Sequence, residues 1–197
     1  MEIVSRVMDL YARMDKSVVE FQLKCGLRCP AGCGSCCQSE DVHVTVLEML
    51  PIAHEILCNG AGADWLERLA GQPQSSACIL FSEQPAEESA GHCRFYSRRP
   101  VLCRLFGFAA VRTRTGIKAL SVCRHIKETD PQGAAAAMVQ AEEAPCFVHY
   151  SAQLYALDPV LGTRLMPINT ALQHAVERLG LNLSFVYRES LRDNTAA

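Results

Sequence analysis

The sequence predicts a mainly α-helical fold with a small β-hairpin, an α+β chain whose cysteine-rich loops ride on a helical scaffold. Three observations lead there. Apolar residues recur at helical spacing in several windows, strand-like alternation is confined to short stretches, and most of the 11 cysteines stand among turn-forming residues. The length of 197 residues and the 49% hydrophobic content suit a single packed domain over residues 1–197. Within it we read a cysteine-cluster region at about 25–127 and a C-terminal helical region at about 131–192.

Ile3, Val4, Val7, Met8, Leu10, Tyr11, Met14, Val18 and Phe21 lie near a helical period, which predicts one amphipathic helix ending at Gly26. CPAGCGSCC, residues 29–37, follows, and its glycines and proline mark a loop. VHVTV alternates like a short strand, and Thr45 with Glu48 has the form of a capping box that opens a helix running to about Cys58 and stopping at Asn59-Gly60. A short helix is expected from about Ala63 to Leu69, then a loop to about Gly91. VRTRTGIKALSV predicts two short strands turning at Thr115-Gly116. Helical patterns return in PQGAAAAMVQAEEA and in PINTALQHAVERLG, the latter closing at Gly180, and the terminal RDNTAA is expected to fray.

Several function classes drop out at this point. The opening MEIVSRVMDLYARMD has scattered charges, no apolar run of signal-peptide length and no small-residue cleavage site, so a cytoplasmic address is expected. Apolar runs such as VTVLEMLPIA break well short of the ~18 residues a membrane span requires. In a reducing compartment a cysteine cluster points to metal binding or catalysis rather than disulfides, and an odd number of thiols cannot pair completely within one chain. No single cysteine stands out as a nucleophile, and an attacking thiol needs no such company. Gly60-Ala61-Gly62 lacks a preceding strand and makes no nucleotide loop.

The formal charge of −2 hides an asymmetry. From His92 to Lys127 stand nine Lys or Arg and no Asp or Glu, leaving ten basic against 21 acidic residues elsewhere. Four thiolates around Zn²⁺ carry a net −2 and thiolate-bound iron–sulfur clusters are likewise anionic, so surrounding cations would favour thiolate over thiol. Arg94 and Arg104, each directly following a cysteine, fit that reading. A solvated basic face is the plainer alternative for any one arginine. A nucleic-acid surface is the weaker third reading, because the interleaved Phe95, Tyr96, Phe106 and Phe108 serve a core equally well.

The loop spacing is C-x3-C-x2-C-C, and Gly32 and Gly34 let the backbone curl so that amide N–H groups can face sulfur. In an extended segment the neighbours Cys36 and Cys37 point opposite ways, toward separate metals or toward one metal and the core. The pattern matches neither the paired C-x2-C knuckles of zinc ribbons nor the cysteine run of bacterial ferredoxins. With Cys78, Cys93, Cys103 and Cys123 the central thiols number eight. Tetrahedral zinc and the common clusters take four each, so two sites, or one site with structural or redox thiols, remain open. Cys58 and Cys146 are read as buried small hydrophobes, while Cys25 stands close enough to Cys29 to exchange into the site. His92 and His125 adjoin motif cysteines and are read as exposed or hydrogen-bonded, and Glu48 as a helix cap.

CPAGCGSCC, the following strand and helix with Glu48, CILF, and then CRFYSRRPVLCRLFGF together resemble the YkgJ-type cysteine-cluster family, also called CxxCxxCC, a zinc- or iron-chelating domain. The likeness runs from about Cys29 to Cys123, with three rather than two residues between the first two cysteines. The resemblance implies Cys29, Cys33, Cys36, Cys37, Cys78, Cys93 and Cys103 as metal ligands, with Cys123 where many members place a further cysteine and Arg99-Pro100 and Arg104 as accompanying motif residues toward the cofactor. It implies an iron–sulfur cluster, or alternatively Zn²⁺, with a redox or accessory role toward a protein partner. A zinc-stabilised interaction module is the competing class. A group-transfer enzyme is the third, since flagellin lysine methylases carry a related domain.

Overall fold

The computed structural model describes residues 1–29, 33–73, 76–82 and 92–195, with side chains to residue 181 apart from His92. The expectations for Gly32, for the loop at 83–91 and for the His92 side chain lie outside the described residues.

The N-terminal helix α1 (Glu2–Cys25) buries Val4, Val7, Leu10, Tyr11, Met14, Val18 and Phe21, the three-and-four spacing that puts one apolar stripe against the core. Each such side chain, fully buried, stabilises by about 1.5–3 kcal/mol relative to an exposed one. Gly26 ends the helix at φ 75°, and its N–H donates to Gln22 C=O at 2.9 Å. A glycine meets that left-handed conformation without strain.

Strand β1 (His43–Val44) leads into α2 (Val46–Cys58), whose entrance is the expected capping box: Glu48 N–H donates to Thr45 Oγ1, and Thr45 N–H donates to the Glu48 carboxylate at 2.7 Å. Helix α3 (Gly62–Ala70) follows. Far along the chain, β6 (Met166–Pro167) pairs antiparallel with β1 and opens α8 (Ile168–Thr195), which lies along α2. These packed helices form one wall of the core, and α1 closes over α2 from another side.

Between them sit short elements that carry the cysteines. A 3₁₀ turn at Ser35–Gln38 holds Cys36 and Cys37. Strand β2 (Phe81–Ser82) pairs with β3 (His92–Cys93), with Phe81 opposite Cys93. Helix α4 (Val101–Leu105) carries Cys103 and Arg104. The predicted hairpin forms from β4 (Ala110–Arg112) and β5 (Lys118–Leu120) and turns at Gly116, φ 83°. Cys123 caps α5 (Arg124–Thr129), and α6 (Pro131–Val139) and α7 (Phe147–Leu157) complete the helices.

Several expectations need correction. The stretch to Gly91 is not all loop, since β2 lies within it. Cysteines do not fall only in connections, because Cys93 is on a strand and Cys103 on a helix. Cys36 and Cys37 are in a 3₁₀ turn rather than extended, so their side chains diverge by about a third of a turn and not by a half. Gly180 does not close α8, and RDNTAA is helical as far as Thr195, with residues 196–197 outside the described ones. The cost of a mid-helix glycine, roughly 0.5–1 kcal/mol, is small beside the packing of α8 on α2.

Candidate metal centre

Cys29, Cys33, Cys36, Cys37, Cys78, Cys93, Cys103 and Cys123 all line one cavity of about 790 Å³. Cys25, Cys58 and Cys146 do not. The eight thiols arrive from five places in the chain, and backbone hydrogen bonds fix several of them. Cys78 N–H donates to Cys37 C=O at 3.1 Å, joining the 3₁₀ turn to the segment before β2. Phe81 N–H donates to Cys78 C=O at 3.0 Å and Arg94 N–H to Leu80 C=O at 2.9 Å, which sets Cys78 beside Cys93. Helix α4 presents Cys103, its start held by Val101 N–H donating to Glu48 Oε1 at 3.1 Å.

The predicted arginines are also at the cavity. Arg99 stacks on Tyr96, 3.9 Å from the ring centre, donates to Tyr96 C=O at 3.1 Å and lies 3.6 Å from Asp15. Arg104 is fully buried: its guanidinium lies 4.2 Å over the Tyr11 ring and donates to Asp15 and to Ser97 C=O. Its Nε has no hydrogen-bond partner among the described residues. Of the nine cations between His92 and Lys127, these two line the cavity and the rest do not. Arg94 is exposed, Arg98 pairs with Glu55 at 2.8 Å and Arg124 with Glu128 at 2.7 Å. Phe95 packs edge-on against Trp65 and Phe108 is buried, as the core reading of the aromatics expects, whereas Tyr96 and Phe106 are exposed against it.

The thiols differ sharply in acidity. Burial, then the neighbouring Cys33, pushes Cys29 up to about 12. Burial likewise pushes Cys78 up to about 12 and raises Cys93 and, more strongly, Cys103. Cys37 keeps its proton and donates it toward Cys36, which lowers Cys36 to about 6 and raises Cys37, and Arg99 assists the Cys36 thiolate. An array of mostly protonated thiols in a low-dielectric pocket is what a site needing a cation to displace protons looks like.

Residues that sequence reasoning missed line the same space. Asp15 and Gln22 come from half-buried positions on α1 and Arg28 from the segment after it. Arg28 directly precedes Cys29, whereas Asp15 and Gln22 stand 14 and seven residues before it and carried no signal. Asn169 of α8 is a further omission: its side chain brackets the Cys78 segment, accepting from Ile79 N–H at 3.0 Å and donating to Ala77 C=O at 3.1 Å. Cys58 is exposed, not buried as expected, with its sulfur 3.4 Å from His54 Nε2, and Cys146 and Cys25 are half-buried. His125 does not line the cavity.

The donor set tests well against a thiolate-bound metal. Soft sulfur donors in this number select zinc or iron–sulfur chemistry, and the arginines among the cavity-lining residues suit an anionic centre. Among the described residues, no three Cys, His, Asp or Glu side chains close around a single point as a mononuclear site. The thiols ring a space instead.

Helical scaffold, cysteine cavity and buried arginine define a cysteine-cluster metal-binding domain. The sequence of residues 28–146 matches the CxxCxxCC family, described as "Putative zinc- or iron-chelating domain", and the chain belongs to that family. No curated protein and no solved structure matches the chain. No helix among the described residues is long and apolar enough to cross a membrane.

Proposed function

We propose that the cavity holds an iron–sulfur centre and that the protein serves a redox or accessory role toward a protein partner. The observation that carries this reading is selective convergence: the eight motif cysteines line one cavity and the three outside the motif do not. No three Cys, His, Asp or Glu side chains among the described residues close around one point, as Zn–S bonds of about 2.3 Å would need, whereas the thiolates of a cluster each bind a separate iron and stand further apart, which favours a cluster over one zinc ion. Thiolates would come from among these eight cysteines, of which Cys78 is buried and Cys29 exposed, with Arg99 and Arg104 offsetting their charge. The bound cluster would supply one-electron chemistry, and the chain's own part is to hold it, screen it from water and set its charge environment.

The test is an absorption spectrum with iron, zinc and acid-labile sulfide analysis on protein purified without oxygen. Broad visible charge-transfer bands with iron and sulfide support the reading. A colourless protein with stoichiometric zinc overturns it and makes a zinc-stabilised interaction module the leading assignment. Cys33→Ser should lower metal content, while Cys25→Ser, Cys58→Ser and Cys146→Ser should leave it unchanged.

A further inference from the structure

Two aromatics of the basic segment stand outside the core that Phe95 and Phe108 join. Tyr96 is 62% exposed and Phe106 40%, and both line the cysteine cavity together with Val19, which is 51% exposed. A side chain that lines a cavity and also meets solvent lies where the cavity opens, so these three mark its rim. They come from three segments: α1, the 3₁₀ turn at Tyr96–Arg98 and the residue that ends α4. Leu23, 69% exposed, follows Val19 by one turn of α1 and carries the apolar surface outward. Exposed apolar residues scattered singly are ordinary, whereas four around one opening mark an interaction site. The Tyr96 ring is held in place, with the Arg99 guanidinium 3.9 Å from its centre. The charges are equally uneven. Asp15 is the one carboxylate of the lining among the described residues, and it is paired with Arg99 and Arg104. Arg28 is exposed at the same opening and has no ion pair or side-chain hydrogen bond among the described residues.

We infer that this rim is the docking surface for a protein partner that presents an acidic residue beside an aromatic or aliphatic one. This rests on the redox or accessory role proposed above and adds where the partner binds and what chemistry it carries. Aromatic and arginine side chains are the types enriched where proteins meet. A partner carboxylate answers the unpaired Arg28, and an apolar side chain covers Val19, Leu23 and Phe106. Such a partner sits directly over the cavity, beside the exposed Cys29, where a centre held inside is nearest to solvent. A single strand of nucleic acid fits the rim less well. Arg99 already covers one face of Tyr96, Val19 and Leu23 offer no ring for a base, and one unpaired rim cation does not follow a row of phosphates.

The experiment selects a random-peptide display library on the full chain purified without oxygen. The most enriched peptide is then titrated by fluorescence polarisation against wild type, Leu23→Glu, Arg28→Glu and Val139→Ser. Leu23 does not line the cavity, so its variant reads docking without entering the metal site, and Val139 is an exposed apolar residue elsewhere, at the end of α6. The expected peptides pair Asp or Glu with an aromatic or aliphatic residue. Their affinity should fall about tenfold or more in Leu23→Glu and Arg28→Glu and stay at the wild-type level in Val139→Ser. Added salt should weaken wild-type binding as well. Enriched peptides without acidic residues, or equal binding by all four proteins, overturn the docking surface. Tighter binding of an oligothymidine strand than of the peptide, lost in the same two variants, overturns it in favour of nucleic acid. Iron, zinc and sulfide are measured on the same samples. A chain without a cluster that still binds the peptide through the rim overturns the iron–sulfur reading and supports the surface, whereas a cluster-loaded chain whose rim binds no peptide does the reverse.

Discussion

The side chain of Asn169 accepts a hydrogen bond from Ile79 N–H at 3.0 Å, so the longest helix of the described chain grips the residue next to a motif cysteine. The same amide donates to Ala77 C=O and Ser76 Oγ, so three consecutive bonds straddle Cys78. Asn169→Ala removes them at once and leaves the half-buried Ile79 N–H without its acceptor, which costs about 1–3 kcal/mol. Urea unfolding should give that loss. Metal retention should fall with it, because the Cys78 segment loses its anchor on α8. Unchanged retention in a folded variant would show that the β2–β3 pairing alone positions Cys78.

Glu48 was legible as a helix cap, and it also reaches α4. One carboxylate oxygen accepts from Thr45 N–H and Oγ1, while the other accepts from Val101 N–H at 3.1 Å. Burial raises its pKa despite these donors. Glu48→Gln keeps the size but turns an NH₂ toward a backbone N–H, so one donor faces another. The expected destabilisation is about 1–3 kcal/mol. The pH dependence has a definite sign: the raised pKa means that the neutral form is favoured in the folded state, so the wild type loses stability as pH rises from the ordinary glutamate value through the folded one. Glu48→Gln should flatten that part of the profile. Equilibrium unfolding at a series of pH values checks it.

How much of this could be read beforehand follows from the range over which each signal acts. The capping box, the Gly26 stop and the Gly116 turn are local rules written in three or four residues, and each is present. The eight thiols were found from their spacing and family pattern, and they share one cavity. What stayed hidden depends on contacts across the chain. Two-residue strands such as β2 and β3 have no periodicity to detect, and their pairing bridges residues 83–91. Asn169 carries no motif, and its role exists only because α8 passes the Cys78 segment. The basic segment misled for the same reason: charge adjacency in sequence says nothing about which side chains turn inward, and Arg99 and Arg104 are the two that do.

The acidity of the thiols predicts how the metal-free chain reacts. Cys36, lowered to about 6 by the hydrogen bond from Cys37, is a thiolate at pH 7, while Cys29 and Cys78, pushed up to about 12, hold their protons. Brief alkylation of reduced, metal-free protein at pH 7 should mark Cys36 ahead of the other cavity thiols, as peptide mass spectrometry can read. Metal loading at the same pH should release protons, since the raised thiols must ionise to bind, and affinity should therefore climb with pH. Release-free loading, measured with a pH indicator, would contradict the raised values.

Arg104 gives the sharpest separation between charge and geometry. Its guanidinium lies over Tyr11 and donates to Asp15 and Ser97 C=O, while its buried Nε has no partner among the described residues. Lysine keeps the charge but has no planar fork, so Arg104→Lys cannot serve Asp15 and Ser97 together or stack on the tyrosine in the same way. The loss of a charge-assisted bond should destabilise the chain by about 1.5–3 kcal/mol. If the Arg104 guanidinium serves an anionic centre, the variant should also yield its metal to a chelator faster than wild type. Comparison with Arg99→Lys separates the two effects. Arg99 is less buried and its cation acts on Cys36 and Cys93, so a retained charge there should preserve most of the metal affinity. Equal chelator rates for both lysine variants would mean that charge alone matters at the cavity wall and that the Arg104 fork is structural.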